Sequence, residues 1–269
     1  MNKKRIILLL LAVVLVFSLM STSALADTYC VDGSTDSVVC IEDTNALGSG
    51  KIVFYPKALE DNSAQYPVVV WANGTGCVTS LYYELLRGFA EAGYIVVADT
   101  TVMSADGTDQ IDAIDYIIAK NGDAESVLFG RVDFANICAA GHSQGGRSAV
   151  NAAVADDRVT CVLSIAGSSF KSEAKGLTCP AFFMTGSADM IVLSSMWVKP
   201  AYEASQGHAV YASLKGGIHT SCIISPAKIL KYAVPWLDCQ LKGDSTACAV
   251  FAPGGALAND SAWKNFACK

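Results

Sequence analysis

Residues 141–145 read Gly-His-Ser-Gln-Gly, a serine with a glycine two positions before it and another two after. As a string this pattern arises by chance, but here it separates an apolar run from an Ala-rich amphipathic stretch. A serine on a sharp strand-to-helix turn needs backbone angles that crowd its neighbours, so glycine is required on both sides. The turn lifts the hydroxyl above a sheet, and the helix start behind it favours negative charge. Ser143 is therefore the expected nucleophile. A serine needs a base, and the chain has three histidines. His142 belongs to the turn and points away from the neighbouring hydroxyl. His208 precedes a strand and so lies at the wrong end of it. His219 follows that strand, in Gly216-Gly217-Ile218-His219, and is the expected base. An acid placed between serine and histidine in the chain fixes the imidazole tautomer. Asp189, just beyond the strand at 181–185, fits this role, while Asp156, Asp157 and Glu173 read as solvated charges. The developing oxyanion needs two N–H donors. Gln144 supplies one and the loop Ala72-Asn73-Gly74-Thr75-Gly76-Cys77 the other, with Thr75 preferred and Gly76 the second candidate.

Alternating short apolar runs and amphipathic segments must carry these residues. Strands are expected at 67–71, 94–98, 134–140, 159–165, 181–185 and 209–214. Helices are expected at 80–92, 109–120, directly after Ser143, and at 226–241, with Pro235 kinking or dividing the last. Strands alternating with helices imply an α/β fold: a mainly parallel central sheet with helices on both faces, which with the Ser143 turn reads as an α/β-hydrolase fold. Such sheets bind ligands at their C-terminal strand ends, where Ser143, Asp189 and His219 all fall. Only 166–179 separates the strand at 159–165 from the next, too little for a cap domain, so an open, shallow site is expected.

The 269-residue chain begins with a basic start (Lys3, Lys4, Arg5), an apolar run over 6–20 and a small-residue end at Ala24-Leu25-Ala26. That is the pattern of a cleaved signal peptide at 1–26, leaving one catalytic domain over 27–269 and export from the cell. The apolar run is short for a membrane span of about 20 residues. With 52% hydrophobic and 16% charged residues, a large buried core is available. Net charge is −6, and about −9 without the leader's three bases, with no Lys/Arg cluster, which argues against nucleic acid. Nothing calls for a metal or organic cofactor; the expected partner is an ester substrate, without stable membrane insertion, and the expected state is a monomer. Ten cysteines in an exported chain suggest disulfides. Spacing alone does not give the pairing: Cys30 with Cys40 would close a small loop, Cys248 with Cys268 would staple the tail, and Cys77, Cys138 and Cys161 could equally be buried thiols.

With these residues placed, the chain resembles the bacterial cutinase and polyester-hydrolase group, including enzymes that cleave poly(ethylene terephthalate). The resemblance runs from about Tyr66 to the C-terminus. It rests on Phe129-Gly130-Arg131-Val132-Asp133 leading into the Ser143 turn, Ala98-Asp99-Thr100, the stretch 180–189, and Gly216-Gly217-Ile218-His219-Thr220-Ser221-Cys222. It implies a lidless secreted serine esterase with Ser143, Asp189 and His219 as triad and Thr75 and Gln144 at the oxyanion. It also implies a C-terminal disulfide between Cys248 and Cys268. Three departures stand out: Thr75 where the group has an aromatic residue, Gln144 where it has methionine, and no tryptophan in Gly167-Ser168-Ser169-Phe170. The resemblance thus implies hydrolysis of simple acyl esters without the aromatic clamp that grips aromatic polyesters.

Three other readings use the same residues. An acetyl or feruloyl esterase acting on plant polysaccharide suits the secretion and acidity. A peptidase would turn over amides in preference to esters. A catalytically silent binding module with this fold would tend to lose a triad residue, and here candidates for all three are present.

Overall fold

The computed structural model describes residues 33–44 and 50–269; the leader at 1–26 and the Cys30–Cys40 pairing fall outside them. The described chain runs β1 (Val38–Thr44), β2 (Gly50–Pro56), β3 (Tyr66–Ala72), α1 (Tyr83–Glu91), β4 (Ile95–Asp99), α2 (Thr108–Gly122), β5 (Val132–His142) and α3 (Gln144–Ala155). It continues with β6 (Cys161–Ile165), α4 (Lys171–Ala174), β7 (Ala181–Gly186), α5 (Val198–Ala204) and β8 (Ala209–Leu214). The last elements are α6 (Ser221–Ile224), α7 (Pro226–Lys242), α8 (Ser245–Ala249), α9 (Ala256–Asn259) and β9 (Trp263–Cys268).

The nine strands form one sheet in the order β1-β2-β4-β3-β5-β6-β7-β8-β9. The six from β4 to β8 are parallel, and β1, β2 and β9 join antiparallel at the edges. Why the centre is β-structure is plain from β3: Val68, Val69, Val70 and Trp71 are all fully buried. A strand alternates its side chains, so Val69 and Trp71 face one layer of helices while Val68 and Val70 face the other. The first layer holds Leu85, Leu86 and Phe89 of α1 with Trp236 and Leu237 of α7. The second holds Ile114 and Ile117 of α2, Val150 of α3 and Val198 of α5. Burying each such aliphatic side chain stabilises the fold by about 1.5–3 kcal/mol. This is the α/β-hydrolase fold expected. The strand order reverses between β3 and β5, and at that switch point the loops after both strands open together.

Helix α7 runs continuously through Pro235, so the proline does not divide it as the sequence allowed. Ile229, Tyr232, Ala233, Trp236, Leu237 and Leu241 are buried along it and hold the helix to the sheet on both sides of the proline. The C-terminal disulfide also differs from expectation. Cys248 is bonded to Cys239 of α7, not to Cys268. Helix α8 folds back on α7 and sets the two Cα atoms 4.7 Å apart, whereas Cys268 is carried to the sheet edge, opposite Val210 of β8. Cys77, Cys138 and Cys161 are buried thiols. Among the described residues, no helix is long and apolar enough to cross a membrane.

Candidate active site

Strand β5 ends at His142 and α3 begins at Gln144, leaving Ser143 alone in the turn with φ 57° and ψ −118°. That region is sparsely populated by residues with a side chain. Its neighbours explain how it is held. A Cβ on Gly141 would lie 2.3 Å from the Gly145 carbonyl oxygen, and a Cβ on Gly145 would lie 2.0 Å from that of Ala72. Both glycines are therefore required by space. The Ser143 N–H donates to the Ile165 carbonyl at 2.9 Å, and its own carbonyl accepts from the Ser168 N–H at 3.1 Å. The end of β6 and the segment after it thus hold the backbone of the turn at Ser143.

Two other loops reach the same end of the sheet. Asp189 follows β7, and His219 follows β8. The Ala188 N–H donates to Gly217 O at 2.8 Å and the Ser187 N–H to Leu214 O at 2.9 Å, stitching the loops together. His219 Nδ1 lies 2.8 Å from Asp189 Oδ2, and its Nε2 lies 2.9 Å from Ser143 Oγ. A carboxylate only accepts, so Nδ1 carries the proton and donates it, leaving the Nε2 lone pair directed at the serine hydroxyl. The other carboxylate oxygen accepts from the N–H groups of Ile191 (2.8 Å) and Val192 (2.9 Å). Asp189 and His219 are both buried. The three side chains picked from the sequence are brought together in a single hydrogen-bonded run.

The loop after β3 lies across from Ser143. Asn73 is fully buried and anchors it: Nδ2 donates to Thr79 Oγ1 and the Asp99 carbonyl, both at 2.9 Å, while Oδ1 accepts from Trp71 Nε1 at 3.1 Å. The Gly76 N–H donates to the Val102 carbonyl at 2.8 Å, so it has no proton to offer a substrate. Among the described residues, the Thr75 and Gln144 N–H groups have no protein acceptor. The side chains of that pair meet, with Thr75 Oγ1 donating to Gln144 Oε1 at 3.1 Å.

The Phe170 and Trp197 ring centroids lie 5.1 Å apart, and the Arg147 guanidinium sits 4.5 Å from the centroid of the Phe170 ring. Glu173 is not a free charge: it accepts a fork from Arg147 Nε and Nη2 at 2.6–3.1 Å. Trp197 lies beyond the acid in the chain, and no local pattern ties it to Phe170. Exposed apolar side chains also flank this hydrogen-bonded run, Met190 (77% exposed) next to Asp189 and Ile218 (45%) next to His219.

His142, passed over in the sequence, is almost wholly buried, and both ring nitrogens are hydrogen-bonded. Burial, reinforced by His219 nearby, pushes its pKa down to about 3, so it is neutral wherever the protein is folded near pH 7.

The profile of a family described as PET hydrolase-like matches residues 21–265. The chain is also 24% identical over 232 residues to a bis(hydroxyethyl) terephthalate hydrolase of Streptomyces coelicolor, an alignment covering 84% of this chain and 71% of that one.

Proposed function

The chain belongs to the PET hydrolase-like family of ester hydrolases, and from that premise we propose a secreted serine carboxylic ester hydrolase with Ser143 as nucleophile, His219 as base and Asp189 as acid. The observation that carries this reading is the continuous run from Ser143 Oγ through His219 to Asp189 at hydrogen-bond distances of 2.9 and 2.8 Å. As Ser143 Oγ attacks the ester carbon, its proton passes to His219 Nε2 and the carbonyl oxygen becomes an oxyanion. The Thr75 and Gln144 N–H groups receive that charge. Asp189 steadies the imidazolium, which then protonates the departing alkoxide and leaves an acyl group on Ser143. Water, deprotonated by the same imidazole, attacks the acyl carbon; the acid departs and Ser143 regains its proton.

Only α4 intervenes between β6 and β7, so among the described residues no cap covers Ser143. An uncovered site flanked by Met190 and Ile218 suits esters with a bulky apolar part or presented at a surface. The S. coelicolor relative is named for bis(hydroxyethyl) terephthalate, which makes that compound the first aromatic ester to try. Residues 1–26 are proposed as the export signal and 27–269 as one monomeric catalytic domain.

The test is release of p-nitrophenol from esters of graded acyl length, with product analysis on bis(hydroxyethyl) terephthalate, polyester film and acetylated or feruloylated polysaccharide. Short and medium acyl esters are expected to be cleaved, and Ser143→Ala to lose several orders of magnitude in rate, about 10⁴-fold or more. Undiminished hydrolysis by that variant would remove Ser143 from the mechanism. Preferential release of acetate or ferulate from polysaccharide would favour the carbohydrate-directed esterase.

A further inference from the structure

We propose that Tyr82 and His142 are positioning residues that lock the oxyanion loop, the nucleophile turn and the base loop to one another; this rests on the triad and oxyanion assignments above. The hydrogen bonds run in one direction only. His142 Nε2 lies 2.9 Å from the backbone carbonyl of His219. A carbonyl cannot donate, so Nε2 carries the proton of the neutral ring. Nδ1 is then an acceptor, and it takes the hydroxyl proton of Tyr82 at 2.9 Å. The Tyr82 oxygen in turn accepts the Gly74 N–H at 3.1 Å.

The ends of this relay matter. Gly74 directly precedes Thr75, His142 directly precedes Ser143, and the last carbonyl belongs to His219 itself. Two side chains therefore join the backbones of all three segments that act on the ester, and neither touches the reacting atoms. The fit is close, since a Cβ on Gly74 would lie 3.0 Å from both His142 Nδ1 and the Tyr82 oxygen, and 3.3 Å from Ser143 Cβ. The His142 and His219 rings are 4.6 Å apart between centroids, and the Tyr82 ring packs against Trp71 at 5.1 Å. Every member is buried, so water does not compete for these bonds.

Three variants test this on the full chain with p-nitrophenyl butyrate. Tyr82→Phe removes one hydroxyl and keeps the ring packed on Trp71. His142→Leu removes both bonds at similar volume. His142→Gln retains a neutral donor and acceptor. For the first two, kcat is expected to fall about 10- to 100-fold with KM unchanged within about twofold, in protein shown by urea unfolding to be folded at the assay condition. His142→Gln is expected to recover kcat to within about threefold of the parent. Should His142→Leu fail to fold, Tyr82→Phe decides alone. Parent-like kcat in Tyr82→Phe, a loss that only follows the unfolded fraction, or a loss that His142→Gln shares in full would overturn the proposal. Ser143→Ala measured alongside separates the two readings. If it stays active, the triad assignment fails; if it is inactive while Tyr82→Phe matches the parent, only the relay fails.

Discussion

Ser143 holds a conformation that its own side chain disfavours, and it does so because Gly141 and Gly145 let the chain pass within 2.3 Å or less of where their side chains would stand. Strain held by its surroundings places the hydroxyl before anything binds. The same logic applies to Asp189, whose one oxygen accepts two backbone N–H groups while the other accepts the hydrogen bond of His219 Nδ1–H. Exchanging it for an amide keeps the shape but offers His219 a donor where it needs an acceptor. Asp189→Asn should therefore fold with near-parent stability and lose about 10⁴-fold in kcat, measured on a p-nitrophenyl ester and checked by urea unfolding. Retention of more than a tenth of parental kcat would mean that the carboxylate does not set the tautomer. The hydrogen-bonded run Ser143–His219–Asp189 was legible from residue types because the flanking glycines, the fold's order of serine, acid and base, and the scarcity of histidines each narrow the choice. Tyr82 and Trp197 were not, since their partners lie 60 and 27 residues away and are chosen by packing.

Among the elements, β3 to β8 were evident as apolar runs because the middle of a parallel sheet is buried on both faces. The edge strands were not. β1 and β9 are half exposed, with mixed sequences (Val-Val-Cys-Ile-Glu-Asp-Thr and Trp-Lys-Asn-Phe-Ala-Cys) that carry no clear period. The disulfide was misassigned for a different reason: the family resemblance paired Cys248 with Cys268, whereas the fold-back of α8 on α7 brings Cys248 to Cys239. The Cys239–Cys248 link closes a loop with a sequence separation of nine, and its removal by Cys239→Ser with Cys248→Ser should lower stability by about 2–3 kcal/mol in urea titration. Because the link joins α7 to α8 and touches none of the triad residues, kcat should remain within about twofold of the parent. A Cys268→Ser variant should leave stability nearly unchanged; an equal loss there would speak for the pairing that the structure replaces.

For the molecule as a whole, the buried neutral His142 ties folding to pH. Its pKa falls from an ordinary 6.5 to about 3 in the folded chain. Between those limits the unfolded chain binds a proton that the folded chain refuses, so stability falls as pH drops below about 6.5 and this contribution is exhausted near 3. Going from pH 7 to 4.5 should cost about 2–3 kcal/mol through this residue alone. His142→Gln, unable to titrate, should show a correspondingly shallower loss in urea midpoints over that range, and identical slopes would mean the ring is protonated in the folded state. Whether Ser143 carries the acyl group is read most directly by mixing enzyme with an excess of p-nitrophenyl ester, following the first turnovers and quenching in acid. A burst approaching one p-nitrophenol per chain is expected where deacylation is slow, with the acyl mass on the peptide that contains Ser143. Steady hydrolysis with the acyl mass on any other residue would contradict it.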